Sequence, residues 1–456
     1  MSTSPAIDSL PNEIILQIFR EAVLAGAYNT TPASMSIKDL ISISAVSSLW
    51  RVLAINDATL WTEIYVGTFD GPNSPSRSET GQAPLLASDF ERANAFTGRS
   101  QTLPIRLELA VFFGETEYSS QEAEDKAIES WRGMLNVLGP HLERCRFLQV
   151  IWALTSSLMM DEITDWMQRP QFPLLTGLSM LGSGPDTSPV QEHLTQKPWN
   201  IQTDNSLLES LRFGHSKFYL PSDLDVSWLS LSTLELQVSE GFWANVQDTL
   251  ALLPSLKELQ LTLFELDSGP SAAPLSPRVV LPKLQDITTN YPLFWTAVSC
   301  PNLSSITVEY TPSTHWTSVH KSPQVSKSIA KLTTVRNLTI SAGSLLCVGP
   351  QLLLCHLTHV ETLKLDSCGD IDLVLPLLTP ETPEDEITFP RFLAGLVHGP
   401  VPENGVLPRL RNVQLSGELR APIVEDFAEL IPKRLLHRRS IKMELLGATI
   451  IGPKGR

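Results

Sequence analysis

Leu256-Lys257-Glu258-Leu259-Gln260-Leu261 places apolar side chains at its first, fourth and sixth positions and polar ones between them. Its second half alternates as a half-buried strand does, and Pro254 just upstream interrupts any preceding helix. The same apolar-x-x-apolar-x-apolar spacing recurs at Cys145/Leu148/Val150, Leu175/Leu178/Met180, Leu208/Leu211/Phe213, Leu231/Leu234/Leu236 and, with a polar third position, Leu284/Ile287. It continues at Leu303/Ile306/Val308, Val335/Leu338/Ile340, Val360/Leu363/Leu365 and Leu410/Val413/Leu415. Most successive copies begin 19 to 33 residues apart, enough for one short strand and a returning segment. One such unit cannot bury its apolar side alone; a stack of parallel strands can.

The pattern extends outward in both directions. Leu103-Pro104-Ile105-Arg106-Leu107-Glu108-Leu109 alternates as a first strand, after an amphipathic helix expected over Leu85–Phe96. Ala244–Leu253 is expected as a returning helix, with Val246, Leu250 and Leu253 on one side. The wide gap from Leu365 to Leu410 is expected to hold a degenerate copy and an insertion around Glu381–Glu386. Val424, Phe427, Ala428, Leu430 and Ile431 suggest a last helix, and Ile441, Met443 and Leu445 a final strand, together capping the stack. Pattern and period resemble leucine-rich repeats, irregularly spaced, which implies a solenoid over residues 85–456. A mixed sheet-and-helix domain without a regular curve is the alternative.

The first sixty-odd residues read differently. Leu10-Pro11-Asn12-Glu13 opens a helix, since Pro suits a first turn whose amides lack partners and Glu13 favours the positive end of the helix dipole. Ile14, Ile15, Ile18 and Phe19 follow at helical spacing. A small-residue loop from Gly26 to Ser36 leads to a second apolar stretch, Ile37 to Leu53, and a third knot stands at Leu60-Trp61. About sixty residues is a marginal size for an independent core, and the apolar content exceeds what short helices bury among themselves. Some of it is therefore expected to face a partner.

Leu10-Pro11-x-Glu13-Ile14-x-x-x-Ile18-Phe19, then Val46-Ser47-x-x-Trp50-Arg51, then Leu60-Trp61, resembles an F-box, in the form common in mushroom-type fungi. The resemblance implies an α/β chain in three parts: an all-α three-helix docking module at 1–66, a Gly-, Pro-, Ser- and Thr-rich linker at 67–84, and the array. Leu10, Pro11, Glu13, Ile14, Ile18, Phe19, Val46, Trp50, Leu60 and Trp61 fall on the family's contact positions for a Skp-type adaptor, which joins a cullin scaffold. Ser47 stands where the family often has Cys, and the stretch from Ala25 to Lys38 is longer than in a minimal F-box. The implied function is substrate recognition in a ubiquitin ligase of the Skp-cullin-F-box type, with the array holding an unknown target protein. The alternatives are a repeat scaffold without ubiquitin transfer and an enzyme whose site the sequence does not reveal.

Composition bounds the rest. A net charge of -15 repels phosphate backbones and anionic lipid, so neither nucleic acid nor a membrane is an expected partner. No run reaches the length of a membrane span, and the first residues lack a secretory pattern, so a cytoplasmic or nuclear location is expected. The basic cluster from Lys433 to Arg439 reads as cations near a helix C-terminus. Five scattered cysteines fit reduced thiols. Cys347, Cys355, His356, His359 and Cys368 lack close ligand pairs, and Cys368 follows Val360/Leu363/Leu365 where a repeat places Cys or Asn at the turn. They read as core residues rather than a metal site. No phosphate-binding, dinucleotide, serine-hydrolase or zinc-protease motif is present, so no cofactor or catalytic residue is expected.

Overall fold

The computed structural model describes residues 10–28, 34–67, 87–113, 121–154, 162–163, 165–167, 172–182, 207–214, 228, 230–239, 243–264, 279–291, 294–309, 323–343, 353–354, 356–368, 407, 409–420 and 442–451. The chain divides into two compact units, residues 1–230 and 231–456. The 68–83 segment, the insertion around Glu381–Glu386, the 424–431 helix and the Lys433–Arg439 cluster lie outside the described residues.

The first unit opens with α1 (Asn12–Tyr28), α2 (Ser34–Val46), α3 (Ser48–Asn56) and a 3-10 turn, Ala58–Trp61. The apolar stretch from Ile37 to Leu53 is thus two helices. They divide at Ser47, whose hydroxyl accepts the Trp50 N–H at 3.2 Å and supplies a partner that the first turn of α3 lacks. Asp57 caps the 3-10 turn in the same way through the Thr59 N–H.

Five parallel strands follow: β1 (Glu63–Gly67), β2 (Ile105–Phe113), β3 (Cys145–Leu154), β4 (Gly177–Gly182) and β5 (Ser210–Gly214). α4 (Ala87–Arg99) lies between β1 and β2, and α5 (Gln121–Leu138) between β2 and β3. Two buried rows cross all five strands in register, Ile64-Leu107-Leu148-Leu178-Leu211 and Val66-Leu109-Val150-Met180-Phe213. Register fixes which side chains face inward, because a slip of one residue would turn every one of them over. β1 shows that the sheet begins inside residues 1–66, before the linker. Gly67 ends β1 at φ +155°, where an added Cβ would stand 2.5 Å from the Ala110 carbonyl oxygen, so the β1–β2 approach requires glycine.

Among the described residues of the second unit, one parallel sheet runs β6 (Thr233–Ser239), β7 (Glu258–Phe264), β9 (Asp286–Thr289), β11 (Ser305–Glu309), β12 (Asn337–Gly343), β13 (Thr362–Cys368), β14 (Asn412–Arg420) and β15 (Lys442–Ile451). The short β8 (Val279–Val280) and β10 (Val298–Ser299) pair with each other. α6 (Trp243–Ala251), α7 (Phe294–Ala297) and α8 (Pro323–Ala330) lie in the connections. The buried row Leu234-Leu259-Ile287-Ile306-Leu338-Leu363-Val413 crosses from β6 to β14 without interruption. β13 and β14 pair directly, so the degenerate copy expected between Leu365 and Leu410 does not enter the sheet between them.

Where β9, β11, β12, β13 and β14 begin, one carbonyl of the preceding strand's start accepts two amides of the next. Lys257 O takes the N–H of Gln285 at 2.8 Å and of Asp286 at 3.1 Å; Gln285 O takes Ser304 and Ser305. Ser304 O takes Arg336 and Asn337, Arg336 O takes Glu361 and Thr362, and Glu361 O takes Arg411 and Asn412. The connections differ in length, but the chain re-enters each time at the same place. At the far end of β7, Asn290 is 2 % exposed; its Oδ1 accepts the Leu263 N–H at 2.8 Å and its Nδ2 donates to the Leu263 carbonyl at 2.9 Å. The side chain of Cys368, which the sequence assigns to a turn position, lies outside the described residues.

Candidate docking surface

The ten candidate residues on α1–α3 and the following turn divide by burial. Leu10, Pro11, Glu13, Ile14, Ile18 and Val46 are exposed, whereas Phe19, Trp50, Leu60 and Trp61 are buried. Helical geometry explains the split on α1. Ile14 and Ile18 are four apart on α1 and share one face, with Leu10 exposed just before the helix; Ile15 and Phe19, one position on, turn inward.

The buried four hold the helices in place. Phe19 packs on Trp50 with ring centroids 4.9 Å apart, which joins α1 to α3. Trp61 stands edge-on to Phe96 at 4.8 Å, lies under the Arg99 guanidinium at 4.2 Å and donates its indole N–H to the Ala54 carbonyl at 2.8 Å. One side chain thus ties α3, the 3-10 turn and α4 together. Arg20 adds a polar tie from α1, with Nε 3.0 Å from both Asp57 Oδ2 and Thr59 Oγ1. The same carboxylate accepts from Thr59, so Asp57 caps the turn and anchors α1 at once.

With the interior occupied, the outer faces of these helices remain apolar. Ile14 is 44 % exposed, Ile18 42 %, Val46 59 % and Ile41 62 %. Leu49, Val52 and Ile55 on α3 are exposed as well. Val52 and Ile55 escape a reading by motif. Their signal is the composition of α3: Leu49, Trp50, Val52, Leu53, Ala54 and Ile55 are apolar around more of the helix than one buried face accommodates.

Residues 7–67 match the F-box-like family. The F-box-like domain therefore takes in α1–α3, the 3-10 turn and β1. No curated protein matches the chain.

Outside this domain the candidate chemistry stays dispersed. Of the Cys/His group, Cys347 and Cys355 lie outside the described residues. His356 is half-buried, and burial holds its pKa below the usual imidazole value. His359 is lowered first by desolvation and then by the nearby Arg409 and Arg336. Among the described residues no group of His, Cys, Asp and Glu is placed to hold a metal ion. Burial pushes the Cys145 thiol up to about 12, so it is a protonated core group at neutral pH. Trp152, Trp166, Trp243 and Trp295 are buried, Trp166 donating to the Leu135 carbonyl at 2.8 Å. No described helix is long and apolar enough to cross a membrane.

Proposed function

We propose that the chain is the substrate-recognition subunit of a ubiquitin ligase of the Skp-cullin-F-box type. The observation that carries this reading is the apolar face of Leu10, Ile14 and Ile18, held outward within a segment that matches the F-box-like family. Exposed aliphatic side chains on a fixed helical frame suit docking, because each such residue contributes about 1.5–3 kcal/mol when fully buried by a partner. The Skp-type adaptor covers this face together with Pro11, Glu13 and Val46, and the exposed Ile41, Leu49, Val52 and Ile55 extend the apolar material it can use. Phe19, Trp50, Leu60 and Trp61 act beneath the surface by fixing its shape.

The parallel-strand units, read as an irregular leucine-rich solenoid, hold the target protein. The chain itself carries out no chemistry; it supplies proximity, bringing a target to the conjugating enzyme recruited through the cullin. Such a complex works in the cytoplasm or nucleus.

The test is binding of the full chain to a purified Skp-type adaptor, beside an Ile14→Asp/Ile18→Asp variant. The whole chain is needed because β1 pairs with β2, outside the matched segment. Binding that weakens about 100-fold or more in the variant, with unchanged thermal unfolding, supports the reading. Absence of binding by the native chain would leave a scaffold without ubiquitin transfer.

A further inference from the structure

The turns that lead into β12, β13 and β14 stack on one another and gather positive charge. Arg336, Glu361 and Arg411 are the last residues before these three strands. Backbone bonds set them side by side: Arg336 O accepts the Glu361 N–H at 2.8 Å, and Glu361 O accepts the Arg411 N–H at 2.8 Å. Two strand spacings, about 10 Å, therefore separate the backbones of the arginines, with Glu361 between them. Arg409, two residues before Arg411, is exposed, and His359 holds the corresponding place before Glu361. Desolvation and then the charges of Arg409 and Arg336 keep His359 below the usual imidazole value, so both guanidinium groups act on one ring.

Negative charge does not match this cluster. Among the described residues, the carboxylate that reaches it is that of Glu361, 3.6 Å from Arg336 Nε and 3.8 Å from Arg411 Nη1, both longer than a hydrogen bond. One carboxylate shared at such distances leaves guanidinium donors open on either side. Arg336 Nη1 donates to the Thr333 carbonyl at 2.8 Å and the Val335 carbonyl at 3.3 Å, which holds its head group in place without neutralising it. The Arg411 side chain is 74 % exposed. In a chain of net charge -15 such a cluster attracts only within about a Debye length of 8 Å, which favours a short segment seated on it over a long polyanion whose other charges meet acidic surface.

We propose that the turns before β12–β14 bind an extended segment of the target protein that carries Asp or Glu at every third position. An extended segment without strand partners repeats its side every three residues, about 9 Å along, which matches the separation of Arg336 and Arg411. Each guanidinium offers a carboxylate two parallel N–H bonds, Arg409 adds a third cation, and Glu361 repels a carboxylate placed midway, so spacing is read as well as charge. The inference rests on the reading that the strand units hold the target, and it names that target's chemistry.

The experiment follows the anisotropy of a fluorescent peptide of repeated Glu-Ser-Ser on the full chain at fixed ionic strength. Beside it stand a peptide with Gln for every Glu and a single-stranded oligodeoxynucleotide of equal charge. The Glu peptide is expected to bind and the other two not to. Arg409→Gln/Arg411→Gln, at side chains with no hydrogen bond to the fold among the described residues, should weaken binding about tenfold or more. Lys126→Gln/Arg146→Gln, exposed positions in the first unit, removes the same charge elsewhere and should leave binding within about twofold. No binding of the Glu peptide, equal binding of the Gln peptide or the oligonucleotide, or equal loss in the two variants would overturn the inference. So would binding that appears only in Glu381→Gln/Glu384→Gln/Asp385→Asn/Glu386→Gln, because the cluster would then serve the chain's own insertion. Adaptor binding is measured on the same proteins: its persistence would confine such a failure to the turns, whereas its absence in the native chain would overturn the ligase reading itself.

Discussion

The helices α1–α3 and the strands β6–β14 treat apolar side chains in opposite ways. The helices bury Ile15, Phe19, Leu40 and Trp50 and leave Ile14, Ile18, Ile41 and Val52 in solvent. The strands bury their apolar row from Leu234 to Val413 and turn Thr, Gln, Asn and acidic residues outward. A stack satisfies its apolar side through neighbouring copies of itself, whereas a small helical group with a surplus has only a partner to cover it. The difference teaches that one chain carries two kinds of surface, an apolar one on the helices and a polar one on the strands.

The sharpest way to break the comparison is to put the same charge in both regions. Leu338→Asp would set a carboxylate between Ile306 and Leu363 with no cation in the row, at a cost above about 4–5 kcal/mol and comparable with the whole stability of many domains. Loss of the cooperative unfolding transition is the expected readout. Ile18→Asp, on the exposed face, should leave that transition within a few degrees, and equal damage would show that Ile18 is an interior residue after all.

Next in size is Phe19→Ala, which empties the contact with Trp50 and should lower stability by about 3–5 kcal/mol in urea titration. Its effect on adaptor binding should follow the fraction unfolded, in contrast to Ile14→Asp, which should reduce affinity in a fully folded chain.

Asn290→Ala sharpens the picture of the stack by leaving the buried Leu263 N–H and carbonyl without the two bonds that Asn290 supplies. About 1–3 kcal/mol should be lost, with faster hydrogen exchange at Leu263 as the local signature. Ser47→Ala is the mildest change: the α3 cap is lost, stability falls by about 1 kcal/mol, and the Trp50 amide exchanges faster.

The strand ladder was legible because its period is carried by apolar side chains at fixed spacing, and all ten copies from Cys145 to Leu415 enter parallel strands. Even the polar third position of the Leu284/Ile287 copy, Thr289, is buried in the sheet. The final strand at Lys442–Ile451 runs well beyond Leu445. β1 was missed because Ile64-Tyr65-Val66 follows the helical module so closely that it reads as its tail, and only pairing with β2 reveals it as a strand. α5 carried a helical pattern in Ala127, Ile128, Trp131, Met134, Leu135 and Leu138, all buried, which a search for repeated strands passes over.

The candidate surface was legible in its place but not in its depth. Helical spacing assigns Ile14, Ile18 and Phe19 to one helix, yet the roughly 100° between successive positions decides which of them meets solvent. Trp50 and Trp61 resemble contact residues in a motif and are buried anchors in the fold.

The carbonyls that admit each strand also set how the second unit would yield to force. Pulled between its first and last strands, a sheet joined only from neighbour to neighbour would come apart one strand at a time, each event ending when the next pair of entrance bonds takes the load. The released lengths would be unequal, about 65 Å for the 19 residues from Leu284 to Leu303 and about 110 Å for the 32 from Leu303 to Val335. The irregular spacing of the sequence would thus be readable from an extension trace as a succession of unlike steps.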